Sequence, residues 1–176
     1  MEGRCQPPVG PHLGVAFLLA QLGAYAADRF AERIAELGLR PAHAGLLGLI
    51  ASQPGQPQQA LAQVLGTPAP RLVALLDDLQ TRGAIERRRS PADRRYHAIH
   101  LTEAGRELMG EVGAVAAAHE RDLTDGLDDD ERVQLRARLT RIAERHHLTP
   151  GVHPGYRRPT PNPATDSAAD PSGGGA

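Results

Sequence analysis

Six arginines fall between positions 82 and 95 (Arg82, Arg87, Arg88, Arg89, Arg94 and Arg95), opposed only by Glu86 and Asp93. This stretch is locally +4 inside a chain of 176 residues whose net charge is -1. Guanidinium groups at such density suit phosphate. Each offers a rigid planar fork of donors, stays charged at physiological pH and sheds water more easily than an ammonium. All 20 basic residues are arginine and none is lysine, so any phosphate-bearing partner is met by a local patch and not by a globally cationic surface. Arg87 and Arg88 are the first candidates for backbone contacts with nucleic acid. A merely solvated arginine-rich turn is the competing reading.

Other residue types that could do chemistry lack the spacing for it. Eight histidines invite a metal site, but the adjacent His146 and His147 point about 100° apart on a helix, and His97 and His100 face opposite sides of a strand. Metal ligation and bound cofactors are therefore not expected. The lone Cys5 excludes an internal disulfide and sits among Pro7, Pro8 and Pro11, with only Arg4 to lower its pKa. No nucleophile elbow, zinc-protease helix or phosphate-cradling glycine loop occurs, so no enzymatic activity is expected. Five aromatics and no tryptophan also argue against a stacking platform for single strands.

The elements that must carry the arginines can be read from the apolar spacing. Leu18, Leu22, Tyr25, Phe30, Ile34 and Leu37 recur at helical intervals. They predict one helix from about 11 to 38 in preference to a secretory leader ending near Ala24-Tyr25-Ala26. Short helices follow over 42–51 and 58–65, the second closed by Gly66. Thr67 then serves as an N-cap with Pro68 in the first turn, and Leu72, Leu75, Leu76 and Leu79 form the buried stripe of the next helix up to Gly83. Strand-like alternation over 85–89 and 96–101 about a Ser-Pro-Ala-Asp-Arg turn predicts a β-hairpin. Thr102 caps a long helix to about Thr124, and Asp128 with Glu131 opens a last one whose inward face is Leu135, Leu139 and Ile142. Residues 1–10 read as a flexible arm and 149–176, rich in proline and glycine, as a disordered tail. No apolar run reaches a bilayer-spanning length, which predicts a cytoplasmic protein with no membrane partner.

A short helix, a turn, a second capped helix and then a hairpin make a winged helix-turn-helix: mainly α, with the hairpin as the wing and the arginines upon it. At this point the sequence resembles the MarR family of transcription regulators. The resemblance rests on LQTRGAIERRRSPADRRYHAIHLTEAG, with Asp93 and Arg95 in the wing and Leu101, Thr102 and Gly105 after it, and extends over about residues 13–146. It implies a domain over 11–148 with dimerisation helices at 11–38 and 102–148 and a DNA-binding lobe at 42–101. It also implies a homodimer on a roughly palindromic double-stranded operator. Arg95 or Arg94 would enter the minor groove, oriented by Asp93, and a narrow groove's negative potential favours a guanidinium there. Thr67 and Arg71, opening the second helix of the motif, would face phosphates and base edges.

That second helix departs from the family's pattern, since it offers Ala69, Pro70, Arg71 and Ala74 and then the acidic pair Asp77 and Asp78. Direct base readout is thin, and Arg71 could equally bind phosphate or pair with Asp78. Family control is usually by small aromatic or anionic effectors, and Tyr25, Phe30 and His43 are the candidate lining residues. Tyr25 and Phe30 could instead be core or interface positions. The expectation is a ligand-responsive repressor. A winged-helix protein-interaction module without operator binding is the alternative.

Overall fold

The computed structural model describes residues 14–89 and 97–152. Six helices and one hairpin follow in the order α1 Val15–Ala35, α2 Pro41–Ser52, α3 Gln58–Leu65, α4 Ala69–Thr81, β1 Ile85–Arg89, β2 His97–Leu101, α5 Glu103–Leu123 and α6 Asp129–Arg145. The mainly helical winged architecture expected above is what the chain adopts.

The core belongs to the lobe. Leu46, Leu47 and Ile50 of α2, Leu61 and Leu65 of α3, and Leu72, Leu75, Leu76 and Leu79 of α4 are all buried, joined by Ile85 and Ile99 from the hairpin. The i, i+3, i+4, i+7 stripe of α4 is thus fully inward. By contrast α1 buries only Ile34 and α6 buries nothing.

Leu135, Leu139 and Ile142, expected to face inward, are 40%, 39% and 42% exposed. The periodicity is a true amphipathic signal, but the described residues of one chain leave that face exposed. On α1, Val15, Phe17, Leu18, Leu19, Leu22 and Tyr25 are exposed in the same way.

The hairpin is antiparallel, with Ile85 opposite Leu101, Arg87 opposite Ile99 and Arg89 opposite His97. Alternation places Ile85, Arg87, Ile99 and Leu101 on the face turned toward the lobe. A third segment joins this sheet. Gly55 N–H donates to Ile99 O at 2.9 Å, Ile99 N–H donates to Gln56 O at 3.1 Å, and Pro57 bridges Ala98. The sequence marks 52–58 as a turn, and its prolines hide this pairing, because they limit it to a single short bridge at an edge.

Two caps are as expected and one is not. Thr102 accepts from Gly105 N–H at 3.0 Å, and Asp128 and Glu131 form a reciprocal capping box. Thr67 is not an N-cap: its N–H closes α3 by donating to Ala62 O at 3.1 Å, and α4 starts only after Pro68. Gly66 in the left-handed region (φ 59°) turns the chain there. At the far end Val152, placed in the tail by composition, packs against the core.

Candidate nucleic-acid interface

The start of α4 is poorer in donors than a helix N-terminus usually is. Pro70 has no N–H, while the amides of Arg71 and Leu72 already donate to Pro68 O at 3.0 and 3.2 Å. Thr67 is 6% exposed, which leaves little of its surface for a DNA contact. Arg71 stands exposed in the first turn of α4.

The wing strand β1 brings Arg87 and Arg88 up against acids. Arg87 donates from Nη2 to Asp77 Oδ1 at 2.6 Å and from Nη1 to Gln80 Oε1 at 2.7 Å, so its guanidinium lies across the flank of α4. Arg88 points to the other face of the strand, more exposed, and pairs with Glu86. That bond from Arg88 is the main reason the Glu86 carboxyl is held below its usual range. Arg94, Arg95 and the orienting Asp93 lie outside the described residues.

His43 takes a role that the sequence did not indicate. It is 1% exposed in the first turn of α2, where Nδ1 accepts the Arg40 N–H at 3.2 Å and Nε2 meets Asp78 Oδ2 of α4 at 3.0 Å. Burial first, and then the positive charge of Arg40, lowers its pKa, with Asp78 pulling the other way. Nδ1 accepts in this geometry, while Nε2 lies between Asp78 Oδ2 and the guanidinium of Arg40, whose Nη2 is 3.1 Å away. A histidine at N3 that accepts the N-cap N–H escapes a search for Glu or Gln at that position.

His43 therefore does not join Tyr25 and Phe30. Those two sit on α1 beside α5, where a cleft of about 160 Å³ is lined by Tyr25, Arg29, Arg33, His119, Asp122 and Leu123. The Phe30 ring lies 5.5 Å from the His119 ring at 53°. Arg33 pairs with Asp122, and that bond holds the Asp122 carboxyl below its ordinary value. Burial is the largest cause lowering the His119 pKa. The sequence gives no local signal for His119, because its link to Phe30 spans most of the domain. Among the described residues no group of three or more histidine, cysteine or acidic residues could hold a metal ion.

A short helix, a turn, a second helix and an arginine-bearing hairpin closed onto it define a winged helix-turn-helix DNA-binding lobe, here flanked by two helices with uncovered apolar faces. The MarR family description matches residues 37–95, the lobe from before α2 to the wing. A putative transcriptional regulatory protein for the hcr operon of Thauera aromatica is 30% identical over 139 residues, covering 78% of this chain and 82% of that protein.

The chain belongs to the MarR family of transcriptional regulators. Among solved structures, the transcriptional repressor CouR bound to a 23-mer DNA duplex is 35% identical with a TM-score of 0.66, covering 74% of this chain and 92% of that one. CouR from Rhodococcus jostii RHA1 bound to p-coumaroyl-CoA is 31% identical, TM-score 0.61, covering 73% and 91%. Escherichia coli MarR, at 22% identity and TM-score 0.66 over 73% of this chain and 96% of that one, shares the fold. No described helix is long and apolar enough to cross a membrane.

Proposed function

We propose that the chain is a ligand-responsive repressor that binds a roughly palindromic operator as a homodimer. The observation that carries this reading is the 35% identity to DNA-bound CouR across 92% of that chain, with the helix-turn-helix and both wing strands in place. The uncovered leucines of α1 and α6 support the dimer, since apolar faces of this extent on a monomer mark an interface. In DNA binding, Arg71 and Arg88 serve as contacts from α4 and β1, and Arg94 and Arg95 from the wing tip, with Asp93 orienting them. Arg87 contributes through the lobe, because Asp77 and Gln80 both hold its guanidinium and its side chain is less exposed than that of Arg88, and Thr67 is left out by its burial.

The effector reading moves to the α1–α5 cleft. Its volume of about 160 Å³ suits one aromatic ring, close to the ~150 Å³ cavity that accommodates benzene. Arg29 and Arg33 line it and, although paired with Glu32 and Asp122, offer further guanidinium donors to an anionic substituent. Because CouR binds p-coumaroyl-CoA, an aromatic acyl-coenzyme A thioester is the class to try first.

The test is a fluorescence-anisotropy titration against duplex DNA from the gene's own upstream region and a scrambled control at about 50 and 200 mM salt, since phosphate-driven binding falls steeply with salt. The upstream duplex should retain binding at the higher salt and release protein when p-coumaroyl-CoA is added, and Arg95→Ala should weaken it without changing the oligomer. Equal, weak binding to both duplexes would favour a protein-interaction module.

A further inference from the structure

Two consecutive carboxylates on a helix meant to approach DNA are electrostatically adverse, since each faces a phosphate-dense partner. Both are engaged by residues outside α4 or at its end. Asp77 holds Arg87 of β1 at 2.6 Å, with Gln80, three residues on and on the same face, holding the other guanidinium nitrogen at 2.7 Å. Asp78 points about 100° away around the helix. It meets His43 of α2 at 3.0 Å and Arg82 at 3.2 Å, with Arg40 at 3.9 Å.

We propose that Asp77 and Asp78 are positioning residues for DNA binding, Asp77 fixing the wing on α4 through Arg87 and Asp78 fixing α4 on the start of α2 through His43. Helix and wing must then meet the duplex at a set mutual angle. Base and groove readout tolerates little displacement, whereas phosphate contact alone tolerates much. The side chain of Arg87 is 27% exposed and shares its charge with Asp77, so it acts on DNA through the wing's placement. The inference rests on the DNA-binding reading above, and specifies how selectivity arises in a helix with few base-reading side chains.

A double-mutant cycle of Asp77→Asn, Arg87→Gln and the pair tests it. The probes are the duplex that the wild-type chain enriches from a random library and a scrambled duplex. Each single variant should lose about tenfold on the enriched duplex, and the double variant no more than either single one, because both remove the same tie. On the scrambled duplex Asp77→Asn should bind as well as wild type or better. Unchanged or tighter binding of Asp77→Asn to the enriched duplex overturns the proposal, leaving the acid a simple repulsive charge. Losses that multiply also overturn it, since Arg87 then touches DNA independently.

Should Asp77→Asn fail to fold, Asp77→Glu keeps the charge but displaces the arginine, and the same comparison applies. If wild type enriches no duplex, the DNA-binding reading itself fails. The ties are then read by hydrogen exchange: Asp77→Asn should accelerate β1 amides, and unaltered exchange overturns the positioning role.

Discussion

Gly105 shows how a single residue type can be imposed by its surroundings. A β-carbon placed there would lie 1.9 Å from Ala84 O, the same carbonyl that accepts the Thr102 N–H at 3.1 Å. The start of α5 is thus docked backbone to backbone under the wing, and Gly105→Ala must push it away. We expect a loss of about 3 kcal/mol, at the upper end of overpacking costs, read as a lowered thermal midpoint. An unchanged midpoint would show that α5 can shift at no cost. His43 gives a pH-dependent counterpart. Its pKa is lowered in the folded state by burial and by Arg40 and Arg82, against the pull of Asp78, so the unfolded chain binds the proton more readily. Stability is therefore fully present above about pH 6.5 and declines as pH falls below it. Protonation also places a hydrogen on Nδ1, where the Arg40 N–H now donates. Urea unfolding at one protein concentration, at about pH 7.5 and 5.5, should show this decline in wild type. In His43→Gln, which can accept the same N–H without titrating, the decline should be smaller. His119 contributes equally to both proteins, so identical declines would remove His43 as the cause.

At the scale of elements, α6 combines a strong N-terminal capping box with no buried residue, so its helicity is locally specified and its packing is not. Its row Leu135, Leu139 and Ile142 is exposed among the described residues and is the face that the proposed dimer would bury. Replacing Leu135 and Leu139 together by Asp should convert a dimer to monomer in sedimentation equilibrium while leaving the lobe's core untouched, since neither residue reaches it. A variant that sediments as wild type would place the interface elsewhere. These helices were legible because their signals are local: periodicity for α4, Gly66 for the end of α3, Thr102 and Asp128 for two starts. What escaped was non-local or ambiguous. The 55–57 pairing with β2 joins segments some forty residues apart behind prolines. Thr67 before Pro68 fits a cap equally well as a residue closing the preceding helix. The site was legible as an arginine-rich wing, but not as an arginine claimed by Asp77, a pairing across ten residues that only the packing of β1 on α4 creates.

For the whole molecule, charge is separated and not abundant. With 20 arginines against 21 acids, attraction to DNA depends on where the cations stand, and many described ones are spent on neighbouring acids. Counterion release counts only charges that reach phosphate, with the slope of log affinity against log salt changing by about 0.9 for each. Arg95→Ala at the wing should therefore flatten that slope by about 0.9 as well as weaken binding. Arg121 provides the control. It is exposed near the end of α5, and the helix's 21 residues carry it about 30 Å from the wing end, beyond several screening lengths at physiological salt. Arg121→Ala should leave both slope and affinity unchanged in the same anisotropy series. If the two substitutions flatten the slope equally, binding would follow the summed charge of the chain, and a local wing contact would no longer be needed to explain it.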